Sequence, residues 1–372
     1  MKKTDILFLS ILLVAAVVSV VKFIPDKQQM ISDIFASAIK LGVKASQEEF
    51  VESRLSLSAL IHHEMGNPLT APKNEEIIAD LTETDEDILQ RIQVAKNKAK
   101  STKAAGRVKE RTIVNMNEQV SAGDIKVQNR TDKKIDIGKI LKEGARLSIP
   151  DKSKPCVLIY HSHTHECYVS LDNGTYMKGE TTQSRDKGEN VVRVGDAIVE
   201  QLENAGFSVI HDTSFHDDDY NNSYAHSGKT IDEILKKYPD IDVTIDIHRD
   251  SIGVEGDKKA RTSVVKEIDG KKAAQIMIIT GCEENNITGF PNWYDNLHFA
   301  LGLQKQFQET YPGLARPLYF ADRKYDMYKT KNSVLIEVGC DGNTLEQAVY
   351  SGKMVGAVLA GYLEEYVEKT GI

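Results

Sequence analysis

From Lys154 onward the chain alternates short apolar runs with amphipathic stretches. Cys156–Tyr160 is an apolar run of strand type. Val191, Val194, Ile198, Leu202 and Ala205 then recur at steps of three and four, the spacing of one buried helix face. Glu189 opens that helix and Gly206 closes it in the C-cap position. Phe207–Ile210 is the next strand, which makes a βαβ unit with parallel strands and a right-handed crossover. A short helix over Thr230–Lys237 leads into Ile241–Ile247. There Ile241, Val243, Ile245 and Ile247 take one face of a strand, and Asp242, Thr244, Asp246 and His248 take the other. Ser263–Ile268 and Ala274–Thr280 read as strands joined through Asp269-Gly270, a hairpin turn signal. A helix over 293–310 carries Leu297, Ala300, Leu303 and Phe307. Ser333–Val338 is a strand, and a last helix runs from Asn343 to about Lys369. Strands alternating with helices predict a three-layer α/β domain with a mostly parallel or mixed sheet.

The first part of the chain reads differently. Lys2 and Lys3 precede Ile6–Val21, an uncharged run whose polar residues are Ser10 and Ser19. It is slightly short of the roughly 17–25 residues of a spanning helix, and a snorkelling Lys22 extends it to Ile24. A cleaved signal peptide is the rival reading, but no A-x-A-like site closes the run. The two lysines place the N-terminus in the cytoplasm and the rest of the chain outside. Residues 26–111 read as polar and mainly helical, with a helix over Thr84–Ala105 and a basic stretch of Lys96, Lys98, Lys100, Lys103, Arg107 and Lys109. His62, His63 and Glu64 lack the i, i+4 spacing of a helical ligand pair and read as surface. Residues 112–150 form a β-rich lead-in, with Ile137–Leu141 apolar enough to dock on the α/β domain. The expected division is a membrane anchor over 1–25, a helical extracytoplasmic region over 26–111, and a catalytic domain over 112–372 that includes the lead-in.

Composition narrows the function. Apolar residues make up 41% of the 372, enough for a real core, and a net charge of −8 argues against nucleic acid as a partner. Four cysteines without a CxxC pair indicate neither a zinc ribbon nor a disulfide framework.

The chemistry gathers at strand ends, where open α/β folds keep their sites. His161, His163 and His165 alternate after the first strand and are followed by Glu166; His248 ends an alternating strand; Glu337 interrupts the apolar run Val334–Val338. A zinc hydrolase needs three N or O ligands with one position left open, and a carboxylate to take and return a proton. His163 and His248 are the expected ligands, with His161 as the alternative to His163 or as a residue that orders it, and His165 exposed. The third ligand is open between Glu189, Glu166 and Glu284. Asp246 or Asp250 is placed to hold the second ring nitrogen of His248. A buried carboxylate is costly without a partner or a task, which singles out Glu337 as the catalytic group. Arg249, Tyr220 and Tyr224 are candidates to grip a substrate. A thiol hydrolase built on Cys167 is the rival, weakened by the lack of a nearby base or helix N-terminus in the sequence.

The ordered series Ile-Tyr-His-Ser-His-Thr-His-Glu-Cys-Tyr, Asn-Val-Val-Arg-Val-Gly-Asp, Tyr-Asn-Asn-Ser-Tyr, Asp-Ile-His-Arg-Asp, Leu-Ile-Glu-Val-Gly and Asn343-Thr344-Leu345-Glu346 resembles the stage II sporulation protein P family, from about residue 110 to the end. That family in turn resembles the zinc-dependent N-acetylmuramoyl-L-alanine amidases. The resemblance implies Zn2+ as cofactor and peptidoglycan as substrate, cut between N-acetylmuramic acid and L-alanine. It also implies an endopeptidase activity on peptide cross-links. It implies a complex with stage II sporulation proteins D and M during forespore engulfment, at the mother-cell membrane facing the forespore septum. On the general amidase pattern His163, Glu189 and His248 fall as ligands and Glu337 as the catalytic glutamate, while the sporulation family's own motif offers Glu166 in place of Glu189. A non-catalytic wall-binding scaffold in the engulfment complex is the alternative.

Overall fold

The structure, a computed structural model, describes residues 81–117 and 119–368. The apolar run Ile6–Val21, the helical region before residue 81, and His62 and His63 lie outside the described residues. Among the described residues no helix is long and apolar enough to cross a membrane.

Twelve strands and six α-helices succeed one another in these residues. The centre is an eight-stranded mixed sheet in the order β2-β3-β11-β10-β12-β7-β4-β6. Its strands are β2 (Gln119–Ala122), β3 (Ile125–Asn129), β4 (Pro155–Tyr160), β6 (Ser208–His211), β7 (Val243–Asp250), β10 (Ile276–Gly281), β11 (Leu318–Ala321) and β12 (Asn332–Cys340). β12, β7, β4 and β6 run parallel; β10 runs against β12, with β11 and β3 parallel to β10. The predicted βαβ unit is present: β4, helix α3 (Val191–Asn204) and β6, with the two strands adjacent and parallel.

Period-two alternation sorts the strand residues onto two faces. On one face Val157, Ile159, Val243, Ile245, Ile247, Ile276, Ile278, Val334 and Ile336 form one continuous core with α3, α5 (Trp293–Thr310) and α6 (Leu345–Glu364). The opposite face is apolar only at its two flanks. Leu158 and Tyr160 pack under α4 (Ser223–Lys237) through Ile231. Met277, Ile279 and Leu335 form a second small cluster with Tyr319 and Tyr325. Between these flanks lie Asp246, His248 and Glu337. Helices on both faces give the three layers the pattern predicts.

A second, four-stranded sheet has the order β5-β1-β8-β9, from β1 (Ala104–Arg111), β5 (Thr175–Met177), β8 (Arg261–Ile268) and β9 (Lys271–Ala274). The hairpin β8–β9 turns at Asp269 and Gly270, both with positive φ (49° and 75°), the geometry of a type I′ turn. Asn343 ties this sheet to the first: its side chain accepts from the Cys340 amide at 2.9 Å and bonds both backbone groups of Val264.

Several elements differ from the sequence reading. The helix expected over Thr84–Ala105 is α1, Glu86–Ala99, and the basic residues after it form β1, because β8 offers a parallel backbone partner from Val108 to Arg111. Ile88 of α1 joins the main core, so the body that carries the site includes residues before 112. Ala274–Thr280 divides between β9 and β10, which belong to different sheets. Helix α4 begins seven residues before Thr230, and α2 (Ile137–Glu143) docks Ile137 and Ile140 on the core as expected.

Candidate metal centre

β4, β7 and β12 are parallel neighbours, so their carboxyl ends lie together. The loop after β4 brings His163 and Glu166 to the carboxyl end of β7, where His248 lies on the polar face. One ligand atom from each of His163, Glu166 and His248 lies within 4.8 Å of the others. His248 Nδ1 is 3.3 Å from Glu166 Oε2, and His163 Nδ1 is 4.0 Å from Glu166 Oε1.

Each of these side chains is held from behind. His248 Nε2 lies 2.9 Å from Asp246 Oδ1. Asp246, itself buried, also accepts from the Ser162 amide at 2.9 Å and its hydroxyl at 2.7 Å. Glu166 accepts from the Arg249 amide at 3.1 Å. The Arg249 guanidinium donates to the carbonyls of Cys167 and Thr182 at 3.1 and 2.8 Å. Arg249 is therefore a buried brace for the loop and for Glu166 rather than a group free to grip substrate.

Electrostatics follow from burial. Burial alone would favour neutral His248, but Asp246 and Glu166 outweigh it and push its pKa well above the usual value. Burial would likewise raise Glu166 and Asp246; His248, joined by Arg249 at Glu166 and by Ser162 at Asp246, holds both below the carboxylate range. A cation at Nδ1 of His248 would take the place of that ring proton. It would leave Nε2–H on Asp246, the carboxylate–histidine–metal arrangement that fixes ring orientation and basicity. Two imidazoles and a carboxylate form a zinc-type donor set, so the residues present fit the metal the sequence implies.

His161 and His163 take different directions. His161 is fully buried on the α3 side of the sheet. Its Nδ1 is 3.0 Å from the Ile247 carbonyl and its Nε2 is 2.9 Å from His211 Nε2. Burial, then His211, lowers its pKa to about 3. Only glycine fits at position 195 of α3, where a Cβ would lie 2.6 Å from His211 Nε2. His161 is thus a neutral core residue, and His163 is the histidine of the cluster. His165 is buried rather than exposed, with Nδ1 2.7 Å from Asp217.

Glu189 lies outside the cluster. It is exposed and accepts from Arg91 at 3.0 Å. The α3 N-cap is Asn190, whose side chain accepts from the Val192 amide. Glu284 accepts from the Asp132 amide at 2.8 Å, away from the site. Burial pushes the Cys167 thiol up to about 11, which leaves no activated thiolate.

Glu337 stands beside His248 in strand register, on the same face of the sheet. Burial pushes its carboxyl up to about 8, with Asp250 and Glu166 adding to the shift against the pull of His248. Its Oε2 is buried without a hydrogen-bond partner. Gly339, two residues on, has φ 72° and sits in the register shift between Glu337 and Cys340. A bulge there re-aims the strand end.

Sequence reasoning missed three neighbours. Arg316, among the largest fully buried side chains, donates to Asp250 at 2.8 Å; one arginine before Pro317 in a loop gives no signal. Tyr325 lies beside Tyr224, ring centroids 5.0 Å apart. Asp326 accepts from Ser227 at 2.6 Å and so ties the loop before β12 to α4.

A mixed α/β domain thus brings two histidines and a glutamate together at strand ends, a set that could hold a metal ion, with a protonatable carboxyl one strand away. The chain belongs to the stage II sporulation protein P family, whose sequence model matches residues 63–360. It is 29% identical over 208 residues to stage II sporulation protein P of Bacillus subtilis (strain 168), covering 52% of this chain and 47% of that protein. The chain thus spans about half the length of the curated relative it matches. Solved structures similar at low level include two amidases. The CwlD amidase from Clostridioides difficile in complex with the GerS lipoprotein has a TM-score of 0.36 at 12% identity, over 56% of this chain and 99% of that one. The catalytic domain of CwlV, an N-acetylmuramoyl-L-alanine amidase from Bacillus (Paenibacillus) polymyxa, has a TM-score of 0.33 at 16% identity, over 56% and 98%. Likeness at that level leaves the site itself to carry the functional argument.

Proposed function

We propose that this chain is a membrane-anchored, extracytoplasmic zinc amidase that cuts peptidoglycan between N-acetylmuramic acid and L-alanine. The observation that carries the reading is the convergence of His163, Glu166 and His248 within 4.8 Å, with Asp246 braced on the far nitrogen of His248. These three residues would hold the metal. When bound, zinc supplies Lewis acidity: it acidifies a water and polarises an amide carbonyl. Glu337 then does the proton work. Its Oε2 is buried without a partner, and as the carboxylate it takes the proton from the attacking water. It returns that proton to the alanine nitrogen as the carbon–nitrogen bond breaks, as a general base turned acid. Asp246 keeps the Nε2 proton of His248 in place throughout, and Arg249 keeps Glu166 aimed inward.

The test is metal content of the purified chain, wild type beside His163→Ala, Glu166→Ala and His248→Ala. About one zinc per wild-type chain, lost in each variant, is expected. A wild type that takes up no metal after purification with zinc would leave the wall-binding scaffold as the reading. The anchor over Ile6–Val21 is tested by protease added outside intact protoplasts, which should degrade the domain. Partnership with stage II sporulation proteins D and M rests on the resemblance and is tested by co-purification.

A further inference from the structure

The site carries an aromatic ledge that the hydrolytic chemistry does not use. Tyr220 lies in a 3-10 turn over Tyr220–Asn222. Its ring is stacked on His163, centroids 4.5 Å apart and planes 10° from parallel. Tyr220 is nonetheless 57% exposed, so it does more than seal the histidine. Tyr224, in the first turn of α4, meets His163 edge-on at 5.4 Å, and Tyr325 continues the row 5.0 Å beyond. Tyr325 has φ 44°, a left-handed backbone that a bulky residue adopts only where its surroundings hold it. The bonds from Ser227 to Asp326 and from Asn296 to the Met327 carbonyl, 2.6 and 2.7 Å, do so. Three chain segments therefore cooperate to set a row of rings beside the candidate ligand His163.

The ledge is apolar and uncharged on its faces. The cation contacts of neighbouring rings go to Phe215 and Tyr328. An acidic stem peptide would be drawn to guanidinium or ammonium groups; Arg323, the guanidinium near Tyr325, is already paired with Asp322 at 3.0 Å. A pyranose ring suits it better, with flat C–H faces for the electron-rich face of an aromatic ring and hydroxyls around its edge. The exposed rim of the turn, Asp219 bonded to Asn222 at 2.7 Å, offers polar groups to those hydroxyls. We propose that the exposed ring of Tyr220 stacks a sugar ring of the glycan strand, so that the sugar side of the scissile bond lies against the ledge. The inference rests on the amidase reading and deepens it by assigning the side on which the sugar is held.

Two substrates test it: a disaccharide-peptide, and the same peptide carrying an N-lactyl group without sugar. Tyr220→Ala should lower the ratio of kcat/KM, sugar-bearing over sugar-free, by roughly three- to ten-fold. The change should fall on KM, as for binding that is equal in ground and transition states. Tyr220→Trp should restore the ratio. An unchanged ratio, or an equal loss on both substrates together with loss of zinc, would mean that Tyr220 only shields His163 and would overturn the proposal. Peptide-free glycan strands titrated onto the full chain by NMR give a readout without turnover. Binding weakened in Tyr220→Ala supports the proposal, and binding equal in both chains, or absent from wild type, overturns it. A chain that binds glycan through Tyr220 but hydrolyses neither substrate keeps this inference and loses the amidase reading. One that hydrolyses both with an unchanged ratio does the reverse.

Discussion

The two faces of the eight-stranded sheet are made from the same strands and do opposite work. On β7, Val243, Ile245 and Ile247 are fully buried in the continuous core under α3, α5 and α6. One residue away each time, Thr244, Asp246 and His248 are as thoroughly enclosed but are polar. The first face is held by apolar area; the second is held by hydrogen bonds and ion pairs that converge on one small volume. Burying a carboxylate or an imidazole costs free energy unless partners compensate. The second face therefore spends part of the stability that the first provides, and what it holds in return is a set of oriented donor atoms.

Substitutions on the two faces should separate cleanly. The largest effect is expected at Glu337. Glu337→Gln keeps the volume and removes the proton exchange, so wall hydrolysis should fall by about 10²–10⁴-fold while zinc stays bound. Relieved of a buried carboxylate, the variant should be no less stable than wild type. Activity within a factor of a few of wild type would remove Glu337 from the chemistry. Ile245→Ala should do the converse. It should cost about 2–5 kcal/mol in urea unfolding, as deletions from a packed core do, with zinc per folded chain unchanged. Loss of zinc without loss of stability there would break the division between the faces.

Much of this division is legible in the sequence, for a physical reason. Period-two alternation along Ile241–His248 writes both faces of β7 at once, and a lone Glu in Val334–Val338 marks the same face of β12. Helix α5 falls on 293–310 as the apolar spacing requires. What stays hidden depends on contacts distant in sequence. β1 is a strand because β5 and β8 pair with its two halves; its own Ala-Ala-Gly-Arg-Val-Lys-Glu-Arg has no alternating apolar face. The direction of His161 is set by His211 and Gly195 on other elements. Glu166 joins the cluster because its loop folds back on His248, a closure that no local pattern encodes.

A smaller effect should distinguish how the polar face is covered. Asp326, buried and bonded to Ser227, has its pKa pushed up to about 7 by burial. Between its ordinary value near 3.8 and about 7, the folded chain holds a proton that the unfolded chain has lost. Stability contributed by this group is then present at the acid end and falls as pH rises through that window. Asp326→Asn should flatten the slope, gaining on the order of 2–4 kcal/mol at pH 8 relative to pH 4. Thermal unfolding of both chains across that range checks it, and parallel curves would mean that Asp326 ionises in the folded state as it does in water.

The smallest effect is expected at Glu189, and it bears on the ligand set. Glu166 is enclosed between His248 and Arg249, whereas Glu189 is half exposed and shares Arg91 with Asp186. Exposed ion pairs of this kind contribute about 0–1 kcal/mol, and Arg91 keeps its second partner when one is removed. Glu189→Ala should therefore bind zinc as wild type does and shift unfolding by no more than that amount. If Glu189→Ala loses the metal while Glu166→Ala keeps it, the loop after β4 must rearrange on metal binding so that the α3 entrance supplies the third ligand. If Glu166→Ala alone loses it, the enclosed carboxylate is the ligand, and the exposed one serves to hold α1 against the rim of the site.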